Sequence, residues 1–169
     1  MHFDYYWYKL LDKVTGNREW IPIYLRKRGA IIGKNNLICC DIATTESKLI
    51  EIKNNVVISS EVEFVMHDHS LMKVIPDKSN LFGKIIIGNN CFVGTRCTIM
   101  YGVELADNII VAAGSVVTKS FKESNIIIGG NPAKKISDWD TFRKKGLPYA
   151  ANKSILKDDN QLQSHLVRR

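Results

Sequence analysis

From Ile87 onward an aliphatic residue returns at every sixth position, through Val93, Ile99, Leu105 and Val111 to Val117, without a slip of register. The residue after each anchor is small in four of the six cases (Gly88, Gly94, Ala106, Ala112), and Asn89-Asn90 and Asp107-Asn108 add turn signals. The same spacing links Ile32, which precedes Gly33, to Ile38, and then Ile52 to Ile58 and Phe64. A six-residue period matches neither an amphipathic helix nor a hairpin meander, whose turns would come at longer intervals. It predicts an all-β solenoid. Each hexapeptide supplies one short strand and one corner, and three close a triangular coil. The anchors point inward, and successive coils stack by parallel pairing.

The register breaks between Phe64 and Ile87, which predicts an excursion loop over residues 65–84. Such a loop adds ordering entropy without adding to a stacked core, so the excursion marks a functional site. It opens Val65-Met66-His67-Asp68-His69-Ser70-Leu71; the other two histidines, His2 and His165, lie near the ends. Removing a proton from a hydroxyl near neutral pH is work suited to imidazole, which makes His67 and His69 the candidate bases. Two apart in an extended segment, they would face one side with Asp68 opposite, and pattern alone does not choose between them. Asp68, Glu61 and Glu63 are the carboxylates within sequence reach, and none of them is assigned as the ring's partner.

Three segments then fall in order: Ile87-Gly88-Asn89-Asn90-Cys91-Phe92-Val93-Gly94, Val111-Ala112-Ala113-Gly114-Ser115-Val116-Val117-Thr118-Lys119, and Gly130-Asn131-Pro132-Ala133-Lys134. On these residues the stretch from about 30 to 136 resembles the hexapeptide-repeat acyltransferases. Within them it is similar to the acetyl-CoA-dependent sugar acetyltransferases related to galactoside and maltose acetyltransferase, O-antigen and capsule O-acetyltransferases included. The resemblance implies a left-handed parallel β-helix with an excursion loop and a short helical C-terminal segment. It implies O-acetylation of a sugar or glycan acceptor by direct attack, in a homotrimer with sites between subunits and no metal. Counted without a gap from Ile52 and Ile58, the family's catalytic histidine falls on His69, leaving His67 to touch substrate or cap the loop. The same resemblance sets Thr95 beside the thioester of acetyl-CoA and Ala113 along its pantetheine arm. Thr118, Lys119 and Lys134 fall near the phosphates and adenosine, with Lys135 a weaker addition. Backbone amides near Gly94 and Thr95 are implied to hold the oxyanion. Phe92 and Ala112 depart from the Trp and Gly that many relatives carry. The alternatives are an N-acetyltransferase on an amino-sugar nucleotide, a non-catalytic solenoid, and a metal-dependent β-helix enzyme. For the last of these, His67 and His69 would lack a third ligand.

Residues 1–29 mix aromatics and charge (Tyr5, Tyr6, Trp7, Tyr8; Arg26-Lys27-Arg28), which predicts a helical or irregular cap over the first coil's open edge. A segment lying on a membrane surface is the alternative. After the repeat domain, residues 30–133, Ser137 is expected to N-cap a helix through Lys145, stopped by Gly146 and Pro148, before a basic tail over the rest of residues 134–169. The net charge of +7 divides unevenly: residues 1–118 hold 13 Lys/Arg against 12 Asp/Glu, and residues 119–169 hold 11 against 5. That places +6 behind a nearly neutral body, where an anionic ligand could use it. No apolar run long enough for a membrane span and no signal-like N-terminus is present. The cysteines (Cys39, Cys40, Cys91, Cys97) form no CxxC pair, which predicts reduced, mostly buried thiols in a cytoplasmic protein. No nucleic-acid-binding signature occurs.

Overall fold

A computed structural model describes residues 3–42, 44–75, 77–157, 162–163 and 165–167. Two helices, α1 (Phe3–Thr15) and α2 (Trp20–Lys27), precede a run of short strands. These are β1 (Ile31–Ile32), β2 (Leu37–Ile38), β3 (Ile50–Ile52), β4 (Val57–Ile58), β5 (Glu63–Phe64), β6 (His67–Asp68), β7 (Leu81–Phe82) and β8 (Ile85–Ile87). They continue as β9 (Phe92–Val93), β10 (Thr98–Ile99), β11 (Glu104–Leu105), β12 (Ile109–Val111), β13 (Val116–Val117), β14 (Ile126–Gly130) and β15 (Ala133–Asp138), followed by helix α3 (Trp139–Gly146).

Apart from the β6–β7 pair, the strands fall into three sheets, ordered β1-β3-β8-β11, β15-β14-β12-β9-β4-β2 and β13-β10-β5; β3–β5 and β8–β13 are dealt to them in rotation, and strands β1–β5 and β8–β14 pair in parallel. The anchors stack in columns. Ile87 pairs with Leu105, Val93 with Val111 and Ile99 with Val117, each 18 residues on, which is three hexapeptides per coil. Where the excursion intervenes the step becomes 35 residues (Ile52 to Ile87, Ile58 to Val93, Phe64 to Ile99) while the pairing stays in register. Every one of these anchors is buried, and they form the core. The aliphatic column supplies most of the burial that holds such short strands, since two-residue strands have few hydrogen bonds of their own.

The corners turn through left-handed backbone, at Asn35, Asn55, Asn90, Asn108 and Asn125 on one edge and at Glu61, Arg96 and Gly114 on the next. Asparagine tolerates this conformation, and its side chain then pairs up the stack. Asn55 Nδ2 donates to Asn90 Oδ1 (2.7 Å) and Asn90 Nδ2 to Asn108 Oδ1 (2.8 Å). Beside them the Asn89 backbone N–H and side-chain amide donate to Asp107 (2.7 and 3.1 Å).

α1 and α2 cover the first coil with Tyr5, Ile21, Tyr24 and Leu25, all buried. Arg26 finishes the open edge: Nε donates to the Ile32 carbonyl (2.9 Å) and Nη2 to that of Gly33 (2.6 Å). Tyr6 and Trp7 remain exposed on the other side of α1. Among the described residues no helix is long and apolar enough to cross a membrane.

The chain divides into two compact units at Ile136/Ser137. In the second, the N-cap of α3 is Asp138 and not Ser137. Its carboxylate accepts from the Thr141 backbone N–H (2.7 Å) and hydroxyl (3.1 Å). Because β15 runs through Asp138, Ser137 is still in extended strand and the helix begins only at Trp139. The helix includes Gly146, and residues 158–161, 164 and 168–169 of the expected tail lie outside the described residues.

Candidate active site

At Met66 the chain leaves the coil and forms a small antiparallel ribbon, with His67 opposite Phe82 and Asp68 opposite Leu81. The Gly83 N–H donates to the Met66 carbonyl (3.0 Å) and closes the ribbon at its base. The strand ends at Asp68, since His69 (φ −82°, ψ −10°) already turns into a 3₁₀ segment, Ser70–Lys73. Asp68 fixes this turn by accepting from the Ser70 N–H (2.7 Å), and its other oxygen accepts from the Tyr101 hydroxyl (3.3 Å). The Ser70 backbone N–H, then its hydroxyl, hold the Asp68 carboxyl below its ordinary range.

The carboxylate that reaches His67 is Glu46: its Oε2 lies 2.9 Å from His67 Nδ1. The His67 ring meets that of His69 edge to face, with centroids 5.0 Å apart and planes at 84°, and Phe82 stands 6.0 Å away on the ribbon. His67 is partly buried, whereas His69 is exposed. The three carboxylates within sequence reach are differently placed. Asp68 serves the turn, Glu61 pairs with Arg96 (2.8 Å), and Glu63 stands exposed on β5. Glu46 was not legible locally, since it lies 21 residues upstream of its partner. The one available signal is that Ile32 to Ile52 spans 20 residues instead of 18, so the first coil also carries an insertion.

Two cavities adjoin at this loop. One of about 330 Å³ contains Glu46 and His67 on its wall. The other, about 590 Å³, runs on toward Ser60, Asp41 and Lys9, and both share Thr44, Glu63, Phe64 and Met66. Carboxylates, hydroxyls and an apolar floor therefore line two adjoining cavities, with His67 on the wall of the smaller.

Of the residues implied for the cofactor, Thr95 and Ala113 come together on one corner. Thr95 Oγ1 donates to the Ser60 carbonyl (2.8 Å), and the Gly114 N–H donates to the Thr95 carbonyl (2.9 Å). A Cβ on Gly94 would meet the Ala113 nitrogen at 2.6 Å, so that close approach of two coils requires glycine. Thr118 and Lys119 lie across the β13-β10-β5 sheet on the opposite corner. Val65, Met100 and Thr118 follow the paired Phe64, Ile99 and Val117, so this is the corner from which the histidine loop leaves. Lys134 is exposed on β15, at the edge of the long sheet, and Lys135 pairs with Glu123. One chain thus does not bring His69 and Thr95 together.

A sequence profile for the hexapeptide repeat of succinyl-transferase matches residues 84–119. Protein CapG of Staphylococcus aureus is 42% identical over 132 residues, 75% of this chain and 76% of its own length. The chain belongs to the hexapeptide-repeat acyltransferase family. The galactoside O-acetyltransferase of Escherichia coli K12 is 28% identical over 134 residues, covering 77% of this chain and 66% of that protein. A solved galactoside acetyltransferase in complex with coenzyme A shares the fold at a TM-score of 0.58, with 22% identity, over 75% of this chain and 73% of that one.

In this hexapeptide-repeat acyltransferase the buried thiols are poor nucleophiles. Burial pushes Cys40 up to about 12 and Cys91 to about 11, and raises Cys97 as well. Cys91 and Cys97 instead donate to the Ala106 and Ala112 carbonyls at the coil corners (3.2 and 3.1 Å). The Gly94 N–H is committed to the Val111 carbonyl (2.9 Å), which removes it as an oxyanion donor and leaves the amide of Thr95. Among the described residues no group of three or more His, Cys, Asp or Glu side chains is arranged to hold a metal ion.

Proposed function

We propose that the protein transfers an acetyl group from acetyl-CoA to a hydroxyl of a saccharide or glycan precursor. In this reading it acts as a homotrimer of left-handed parallel β-helices. The observation that carries the proposal is the histidine pair at the excursion, in which His67 is bonded to Glu46 on the wall of a cavity and its ring meets that of the exposed His69. Such a lining suits a sugar, whose hydroxyls bond to carboxylates and hydroxyls while its C–H face packs on Phe64 and Met66. The coenzyme A held by the structurally similar galactoside acetyltransferase supports the donor.

In the reaction His69 takes the proton of the acceptor hydroxyl as its oxygen attacks the thioester carbonyl. The C–O bond forms, the Thr95 amide faces the developing oxyanion, and the C–S bond breaks. The proton held by His69 then passes to the departing coenzyme A thiolate. Ala113 lies along the pantetheine arm, and Thr118, Lys119 and Lys134 receive the phosphates and adenosine.

The test is a screen of neutral sugars, amino sugars and nucleotide-linked sugars with acetyl-CoA, following free thiol. Acceptor-dependent thiol release with an O-acetyl product supports the proposal. Faster transfer to an amino group would convert it to N-acetylation, and no release with any acceptor would overturn it.

A further inference from the structure

The reach of Glu46 to His67 has no counterpart among the other carboxylates near the site, and its backbone is unusually well held. The Glu46 N–H donates to the Thr44 hydroxyl (3.1 Å), and the Glu46 carbonyl accepts from the Leu49 N–H (2.8 Å). The next residue, Ser47, is fully buried and bonds back to the Thr44 carbonyl (3.2 Å). A turn tied at three points therefore aims the carboxylate. The Glu46 and His67 side chains are 22% and 37% exposed, so their hydrogen bond is shielded from much of the competing water. An ionised carboxylate only accepts, so opposite Nδ1 it requires the proton on Nδ1, and in the neutral ring Nε2 is then the bare nitrogen. The oriented ring then forms the wall against which His69 packs edge to face.

We propose that Glu46 is a positioning residue for acyl transfer. Its bond to His67 fixes the tautomer and plane of that ring, and the ring in turn fixes the imidazole of His69. The inference rests on the acetyl-transfer reading above and goes beyond it, because it assigns work to a segment outside the excursion loop. His69 is free to choose among rotamers unless something restrains it, and misplacing a base by an ångström costs rate without weakening the donor's binding.

The test uses the full chain labelled with ¹⁵N-histidine, as wild type, Glu46→Ala and Glu46→Gln. Long-range ¹H–¹⁵N spectra at alkaline pH read the tautomer of each imidazole, and steady-state kinetics use the best acceptor found. His67 should be the Nδ1–H tautomer in the wild type and revert toward Nε2–H in Glu46→Ala. That variant should lose about tenfold to a hundredfold in kcat, with KM for acetyl-CoA held within about twofold. Glu46→Gln, whose amide can present oxygen or nitrogen, should keep the ring in place without dictating its tautomer, and fall between the two in kcat. An Nε2–H tautomer in the wild type overturns the proposal even if Glu46→Ala fails to fold. Wild-type kcat in a folded Glu46→Ala overturns it equally. Absence of transfer by the wild type would instead remove the acetyl-transfer reading, and the role of Glu46 with it, while the Nδ1–H signal persisted.

Discussion

His67 and His69 are separated by a single residue, yet they are not equivalent, because β6 stops between them. Asp68 captures the Ser70 N–H, turns the chain, and swings His69 out of the strand, so that the rings meet at 84° instead of standing side by side. The alternation expected of a straight strand thus fails at the residue where it would have made the two alike. The consequence is a difference in setting, with His67 held by Glu46 and His69 exposed. His69→Ala should lower kcat by about 10² to 10⁴ with little change in coenzyme A binding, the range for losing a general base. His67→Ala should cost less, which kinetics on both variants would read. The reverse order would make His67 the base. That these histidines leave the coil was legible from their place in the break of the repeat. Glu46 was not, since its contact depends on how two insertions in successive coils fold toward each other.

At the scale of the element, the two-residue strands have almost no identity of their own, yet they were the most legible part of the chain. Every anchor from Ile87 to Val117 is buried and pairs one coil on, or closes the stack, because a column tolerates no slip. The helices α1 and α2 carry no such period, and their packing of Tyr5 against Tyr24 at 5.1 Å follows from tertiary contact alone. The corners were half legible: asparagine and aspartate pairs signalled turns, but not the ladder that joins them between coils. In that ladder the Asn89 side-chain amide, followed by its backbone N–H, holds the Asp107 carboxyl below its ordinary range. A depressed folded-state value stabilises the protein above the unfolded carboxylate's pKa and loses that contribution as pH falls through the folded one. Asp107→Asn should therefore be less stable than wild type at pH 7 by about 1 kcal/mol, discounted for partial exposure. The difference should shrink toward zero as pH falls through the depressed folded-state value and Asp107 itself becomes protonated. Thermal melts of both proteins across that range check it, and a gap that stays constant with pH would mean that the charge on Asp107 contributes nothing.

At the scale of the molecule, the family resemblance placed catalytic and cofactor residues in one site, whereas the chain sets the histidine loop, with Thr118 and Lys119, on one edge of the β13-β10-β5 sheet and Thr95 with Ala113 on the other. Between the corner at Thr95 and Arg96 and the corner at Tyr101 the backbone crosses that sheet, roughly 10 Å over the extended residues 97–100. Acyl transfer needs the hydroxyl, the base and the thioester within about 3–3.5 Å of one another. A thioester at Thr95 is thus out of reach of His69 in its own chain, and a second copy that sets its histidine corner against the Thr95 corner of the first would close the gap. A head-to-tail contact of this kind leaves unmatched surfaces unless it closes into a ring, and a three-sided coil closes naturally with three copies. Light scattering should therefore give a trimer, and two silent variants should rescue each other. His69→Ala lacks the base, and Ala113→Trp fills the exposed corner beside Thr95. Refolded together in equal amounts, they form some interfaces in which an intact histidine corner meets an intact cofactor corner. With random assortment, roughly one site in four is whole, so about a quarter of wild-type activity should return. Neither variant refolded alone should show it. A mixture that stays silent, or a monomer with full activity, would mean that one chain assembles the whole site, and the acetyl group would then have to reach His69 by a route other than the Thr95 corner.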